Sequence, residues 1–446
     1  MGKLGFISII RTTFDVPLAE EMTQRARTAL TAAGYSLLGR PEAVTTLEQA
    51  AAAADELAAL QPDLLIIFQA TFADSTMAMA LAHTVETPLL LWAVPEEHTG
   101  GRLRLNSLCG INLAGHALTR ARYRYGTIYA LPEDPAALEK VGRYARAASA
   151  RRELRSARVG RVGENPAGFD TCLMDVADLK SRFGIDIVQI DLENDVFAEA
   201  RAADPELVQA AADRLATRVT GLDALDQAGV KGTLGAYVTL QERARRDNLS
   251  GYAVRCWPEF FTELGCAACG AMSLLNDEQT PSSCEADVNG TITSLMLQAL
   301  SGEPAFGSDI VSLDYERDAL VLWHCGLAPL SMADTEGDEL PGTTIHSNRK
   351  LPLLMQFPLK PGVVTVARLS EATGEYRLVI GRGEVVRAPR AFSGTTGLVR
   401  FAGGSQQTLD TILAEGLEHH ISITYGDYVE ELLILAHMFG LPVLQL

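Results

Sequence analysis

Over the first 130 or so residues, short apolar runs at 4–10, 64–68 and 89–92 alternate with alanine-rich stretches of helical period at 18–33 and 75–83. That alternation predicts a parallel α/β sheet. Ligands of such sheets sit beyond the carboxyl ends of the strands, which singles out Arg11, Gln69, Thr71, Trp92 and Pro95. A polar Arg/Ala helix around 145–158 ends this segment. A second α/β alternation follows, with strands at 159–162, 185–190 and 252–255 and helical stretches at 205–220, 232–246, 260–275 and 287–300. After Asp309 the apolar runs shorten and recur at strand period, at 310–314, 320–324, 351–358, 363–368, 376–380 and 397–401, and an amphipathic helix closes the chain at 428–439. The pattern predicts two parallel-sheet α/β domains, over 1–150 and 151–308, followed by a C-terminal antiparallel, β-rich, barrel-like domain over 309–446.

Composition narrows the function. With 47% hydrophobic and 21% charged residues over 446 positions, the chain builds a large core and is not a disordered protein. Its 38 Lys+Arg against 56 Asp+Glu leave a net charge of −18, which repels polyphosphates and argues against a nucleic-acid partner. The Arg-dense stretch 143–161 lacks interleaved aromatics and suits a solvated helix face. Neither GxGxxG nor a P-loop occurs, which removes the usual phosphate cradles of nucleotide chemistry. No apolar run is long enough for a membrane span, no signal-peptide pattern opens the chain, and seven cysteines at irregular spacing suit reduced thiols; the expectation is a cytoplasmic protein with no membrane partner.

Metal-type ligands concentrate in four segments: Arg255-Cys256-Trp257-Pro258-Glu259, Cys284-Glu285-Ala286-Asp287-Val288-Asn289-Gly290, Trp323-His324-Cys325-Gly326 and Glu418-His419-His420. Singly, each has a plain structural explanation: a carboxylate after Pro258 is a helix N-terminal charge, Asp287 an N-cap and His324 a half-buried hydrogen-bonded imidazole. The adjacent His419 and His420 point opposite ways on a strand, so at most one faces a given site.

Together, in this order, these segments resemble those of the L-fucose isomerase and L-arabinose isomerase family of aldose-ketose isomerases, over nearly the whole chain. The carboxylates Glu259 and Asp287 are 28 residues apart and His324 and His420 are 96 apart, which fits that family, with the fucose-type branch the nearer. The resemblance implies a divalent cation, Mn2+ with Mg2+ or Co2+ as substitutes, on Glu259, Asp287 and His420. His419 competes with His420, and His324 is implied as a fourth ligand or a substrate contact. It assigns Glu259 and Asp287 as the acid/base pair, without saying which is base. It also implies a homotrimer or homohexamer with sites between subunits, where Arg11, Gln69 and Trp92 contact substrate. Asn112 and His116 are weaker choices there, and Asn348, Glu418 and Tyr425 are choices for the distal hydroxyls.

The ligand types suit the reaction independently of the family. Aldose-ketose conversion removes a proton from C2 and delivers one to C1 while negative charge grows on O1 and O2; a hard cation with open positions holds both oxygens in a cis-enediol geometry. As substrate the resemblance implies a hexose, 6-deoxyhexose, pentose or modified sugar, including a sulfonated one whose anion Arg11 or Arg255 would hold. Two other classes compete. Cys266-Ala267-Ala268-Cys269 has the spacing of half a zinc site, but no second close pair completes it, and both thiols fit a helix's core face. A non-catalytic sugar-binding protein of two α/β domains has similar alternation but no use for the extra β-rich domain.

Overall fold

Segments apolar at every position become strands buried on both faces. In the computed structural model, which describes residues 2–446, β1 (Leu4–Ile9), β2 (Leu37–Leu38), β3 (Leu64–Gln69), β4 (Leu89–Ala93) and β5 (Tyr125–Tyr129) form a parallel sheet in the order β2-β1-β3-β4-β5. β1, β3 and β4 are buried throughout. Period-two side chains divide between two cores. Phe6, Phe68 and Trp92 pack beneath helices Val16–Ala32 and Pro135–Arg155, whereas Ile7, Leu65 and Ile67 pack beneath Leu47–Leu60, Thr76–Val85 and Ser107–Arg120. Asp15 and Thr46 cap the first two of these helices in sequence order, accepting the Leu18 and Gln49 N–H groups. This compact unit comprises 1–152 together with 430–440. The last helix belongs to it because Ile434 and Met438 pack on the Phe6 core and the buried Glu431 pairs with Arg146 at 2.5 Å.

The second unit comprises 153–429 and 441–446. Its parallel sheet runs β7-β6-β8-β9, from β6 (Arg158–Val162), β7 (Asp186–Ile190), β8 (Gly251–Val254) and β9 (Ser282–Ser283). The β-rich segment contributes β10 (Phe306–Asp314), β11 (Ala319–His324), β12 (Gly342–Thr344), β13 (Leu354–Pro358), β14 (Gly362–Ser370), β15 (Arg377–Val386), β16 (Thr395–Phe401), β17 (His420–Tyr425) and β18 (Val443–Gln445). The path β16-β11-β10-β17-β14-β15 returns to β16 through a further β15–β16 pairing, so six antiparallel strands close into a barrel. The α/β plus barrel architecture matches the pattern of the sequence. Helix Val288–Ser301 is buried nearly all round, between the parallel sheet and the barrel. One core runs across residue 308, from Val162 to Ile423. Among the described residues no helix is long and apolar enough to cross a membrane.

Candidate active site

Three neighbouring barrel strands bring chemistry to one place. Asp309 on β10 is in register with Trp323 on β11 and with His420 on β17, and directly opposed residues share a face of the sheet. His324 ends β11. The turn after β9 approaches the same place with Glu285. Both Glu285 and Ala286 adopt left-handed backbone, φ 58° and 55°, a conformation that costs free energy in non-glycine residues. The Asn165 amide nitrogen holds that turn, donating to the carbonyls of Glu285 at 2.9 Å and Ala286 at 3.0 Å. The turn sends Glu285 into a cavity of about 460 Å³ and sends Asp287, two residues on, into the core, where it caps helix Val288–Ser301. Trp257, Phe261, Glu285, Asp309, Trp323, His324, the segment 346–349 and His420 line the cavity together with Cys256, Cys269, Cys284 and Cys325.

Asp287 is fully buried and both its oxygens are committed. Oδ1 accepts the Gly290 N–H at 2.9 Å and Arg368 Nη2 at 3.1 Å, and Oδ2 accepts Arg368 Nη1 at 2.6 Å and His420 Nδ1 at 2.9 Å. Burial alone would raise its pKa, but the Arg368 guanidinium and His420 hold it far below the carboxylate range. Donation of Nδ1–H to an ionised carboxylate fixes the His420 ring and aims Nε2 at the cavity, 3.3 Å from Asp309 Oδ1 and 3.8 Å from Glu285 Oε2. Burial would lower the pKa of His420, yet hydrogen bonds to Asp287 and Asp309 outweigh it and hold it well above the usual value. Burial likewise opposes ionisation of Glu285 and Asp309. Hydrogen bonds from His419 and from His420, respectively, prevail and lower both pKa values, so both are carboxylates at neutral pH.

His419 accepts from Thr171 or donates to it at Nδ1, 2.8 Å, and contacts Glu285 Oε2 through Nε2 at 3.0 Å; Trp257 Nε1 donates to Glu285 Oε1 at 3.3 Å. His324 Nδ1 accepts the Cys325 backbone N–H at 2.9 Å, so in the neutral ring the proton lies on Nε2.

The expected ligand set is thus only partly gathered. His420 is in the cavity wall, but Glu259 does not line it: its carboxylate is bound by Arg255 at 2.8 Å, which lowers its pKa and occupies both partners. That pairing also removes Arg255 as an open anion site. Asp287 lies behind His420 rather than in the cavity. His419 and His420 both reach Glu285, against the expectation from strand alternation, because β17 begins at His420 and His419 precedes it; their rings lie 4.0 Å apart. Glu418 is buried behind Arg368 and Tyr425 donates to the Lys360 carbonyl, so neither lines the cavity, whereas Asn348 does.

Arg11, Gln69 and Trp92 belong to the first unit. Arg11 is exposed after β1 with its guanidinium 5.8 Å from the Phe72 ring centre. Gln69 is fully buried with no partner for its amide. Trp92 is a core residue: fully buried, edge-on to Phe68, its Nε1 donating to the Ala130 carbonyl at 3.0 Å, and therefore no exposed substrate wall. Asn112 and His116 are exposed on helix Ser107–Arg120. Glu285 and Asp309 line the cavity and are not among the residues the sequence singled out, although Glu285 stands in the quoted turn motif and Asp309 marks the start of the β-rich pattern.

Residues 5–155 match the family model "Fucose/sulfoquinovose isomerase, N-terminal domain" and residues 356–446 match "L-fucose isomerase, C-terminal domain". A protein named sulfoquinovose isomerase from Alkalicoccus urumqiensis is 31% identical over 99% of this chain and 98% of its own length. The chain belongs to the L-fucose isomerase-like family. It is an aldose-ketose isomerase of that family. Proteins also named sulfoquinovose isomerase from Priestia megaterium and Clostridium sp. are each 30% identical to this isomerase over 98% of its chain, covering 97% and 98% of their own lengths. A solute-binding protein with bound D-allose from Actinobacillus succinogenes, 10% identical, covers 68% of the isomerase and 93% of its own chain at a TM-score of 0.19, which carries no argument.

Proposed function

We propose that this isomerase converts a sulfonated hexose of the sulfoquinovose type to its 2-ketose through a cis-enediol, with a divalent cation, Mn2+ or in its place Mg2+ or Co2+, held by Glu285, Asp309 and His420. The convergence of two ionised carboxylates on His420 Nε2, inside a cavity of sugar size, carries the proposal. These donors fit a hard cation: two anionic oxygens and one imidazole nitrogen whose far side is fixed by Asp287. The cation supplies Lewis acidity toward the substrate's two oxygens. Both are ionised and both face the cavity, so one of Glu285 and Asp309 takes the C2 proton and, after exchange with solvent, returns a proton to C1, while the other passes the proton of the C2 hydroxyl to O1. His324 Nε2–H donates to a sugar oxygen, and Trp257 and Trp323 wall the cavity and limit water.

Arg349 supports the sulfonate. It lines the cavity beside Ser347 and Asn348, with its guanidinium 5.8 Å from the Phe261 ring centre, and among the described residues no carboxylate pairs with it. A planar, permanently charged donor suits a sulfonate oxygen pair. The family resemblance also supports a cytoplasmic homotrimer or homohexamer with sites between subunits, which mass photometry tests directly.

The test is turnover of sulfoquinovose, L-fucose, L-arabinose and D-arabinose after chelation, with and without added Mn2+. Mn2+-dependent turnover of sulfoquinovose, with Arg349→Gln raising KM for it and leaving KM for any neutral sugar unchanged, is expected. Turnover confined to neutral sugars would refute the substrate.

A further inference from the structure

Four thiols form a row along one wall of the same cavity, and the isomerisation chemistry uses none of them. Cys256 follows β8, Cys284 follows β9, Cys325 follows β11 and Cys269 lies in helix Ala268–Asp277. The ends of three strands therefore deliver their cysteines to one helix. The Cys256 and Cys284 sulfurs are 2.6 Å apart, those of Cys269 and Cys325 are 3.0 Å apart, and Cys269 also has Cys284 as a hydrogen-bonding neighbour. His324 Nδ1 lies 3.4 Å from the Cys325 sulfur. The donor atoms of Cys269, His324 and Cys325 all fall within 4.8 Å of one another.

We infer that Cys269, Cys325 and His324 Nδ1, with Cys284 as the neighbouring fourth donor, form a second metal site, selective for a thiophilic divalent cation such as Zn2+ or Cd2+. Three observations carry this. The donor types are soft where those of Glu285, Asp309 and His420 are hard, so the two sites sort cations by chemistry. The spacing suits a tetrahedral ion, in which ligand sulfurs about 2.3 Å from the metal lie about 3.8 Å apart, so the Cys269–Cys325 pair opens by less than an ångström. The His324 tautomer is already correct: with Nδ1 as the lone-pair nitrogen, a cation replaces the Cys325 N–H contact, and Nε2 keeps its proton. Binding releases the thiol protons to water as thiolates form. His324 thereby sits between a hard-donor and a soft-donor site.

The test uses the full-length protein, reduced and loaded with Mn2+, titrated with Cd2+. An ultraviolet thiolate-to-cadmium charge-transfer band saturating at one equivalent is expected, with a cadmium NMR shift in the range of mixed sulfur and nitrogen ligation. The band should be lost in the double variant C269S/C325S. Manganese paramagnetic resonance on the same samples reports the carboxylate site separately, so failure of the hard site leaves this result readable. If the double variant does not fold, the cadmium NMR shift of the wild-type protein decides alone. No charge-transfer band, an oxygen-only cadmium shift, a band unchanged in C269S/C325S, or a Cys269–Cys325 disulfide in the reduced, purified protein would overturn the site.

Discussion

Replacing Asp287 by Asn separates a residue that orients a ligand from one that is a ligand. The carboxylate accepts four hydrogen bonds, from Gly290, twice from Arg368 and from His420, and it is buried with Arg368, whose side chain is 2% exposed. An amide of the same shape keeps one acceptor oxygen and turns an NH2 group toward donors. About two charge-assisted hydrogen bonds are lost, at roughly 1.5–3 kcal/mol each. The Arg368 charge keeps only Glu418, 3.7 Å from its Nε, as a buried counter-ion, and loss of the directly hydrogen-bonded partner costs up to about 3–5 kcal/mol in comparable pairs. The two figures agree, and Asp287→Asn is expected to destabilise the second unit by about 3–5 kcal/mol, seen as a lowered urea midpoint of its unfolding transition. His420 also loses the acceptor that fixes its tautomer, so Mn2+ affinity measured by calorimetry should fall about 10- to 100-fold without vanishing. Abolished Mn2+ binding with unchanged stability would refute this reasoning and make Asp287 a direct ligand.

Glu285→Gln and Asp309→Asn are each expected to remove detectable Mn2+ binding and turnover, whereas Glu259→Gln should leave Mn2+ affinity unchanged, because Glu259 is engaged by Arg255; calorimetry and a ketose assay check both. His420→Ala should weaken Mn2+ binding far more than His419→Ala, whose effect enters through the orientation of Glu285; equal losses would place both imidazoles on the cation. The folded pKa values of Asp287, Glu285 and Asp309 are depressed, so their stabilisation is complete above the unfolded carboxylate values of about 3.9–4.3 and is lost as pH falls below them. Urea midpoints of the metal-free protein should therefore drop on acidification through that window. His420 is raised, so its share is present below about pH 6.5 and is lost as pH climbs through its folded value, and Mn2+ affinity should rise over that climb as the cation displaces its proton.

Periodicity made the fold legible and left the site half legible. The apolar runs at 64–68 and 89–92 became β3 and β4, and the change of pattern after residue 308 marks the barrel, because burial writes itself into period. Whether a carboxylate faces a cavity is decided by partners that period does not show. Glu259 is turned away by Arg255 four residues earlier, and Asp287 by Arg368, 81 residues later. Glu285 reaches the cavity only because two consecutive residues take left-handed backbone, a conformation its side chain gives no reason to expect. Asp309 stands at the edge of the pattern change, where periodicity says nothing of a site, and β10 pairing sets it beside His420. Trp92 followed the strand-end rule for ligand sites, but a ring stacked beneath the first unit's helices belongs to the core.

The most direct measurement is the fate of solvent deuterium during turnover of sulfoquinovose in D2O by the chelated protein, with and without Mn2+. Turnover only with Mn2+, with deuterium at C1 of the ketose, is expected from proton transfer through a cis-enediol by Glu285 and Asp309. Metal-independent turnover, or a ketose free of deuterium at every stage of the reaction, would contradict it.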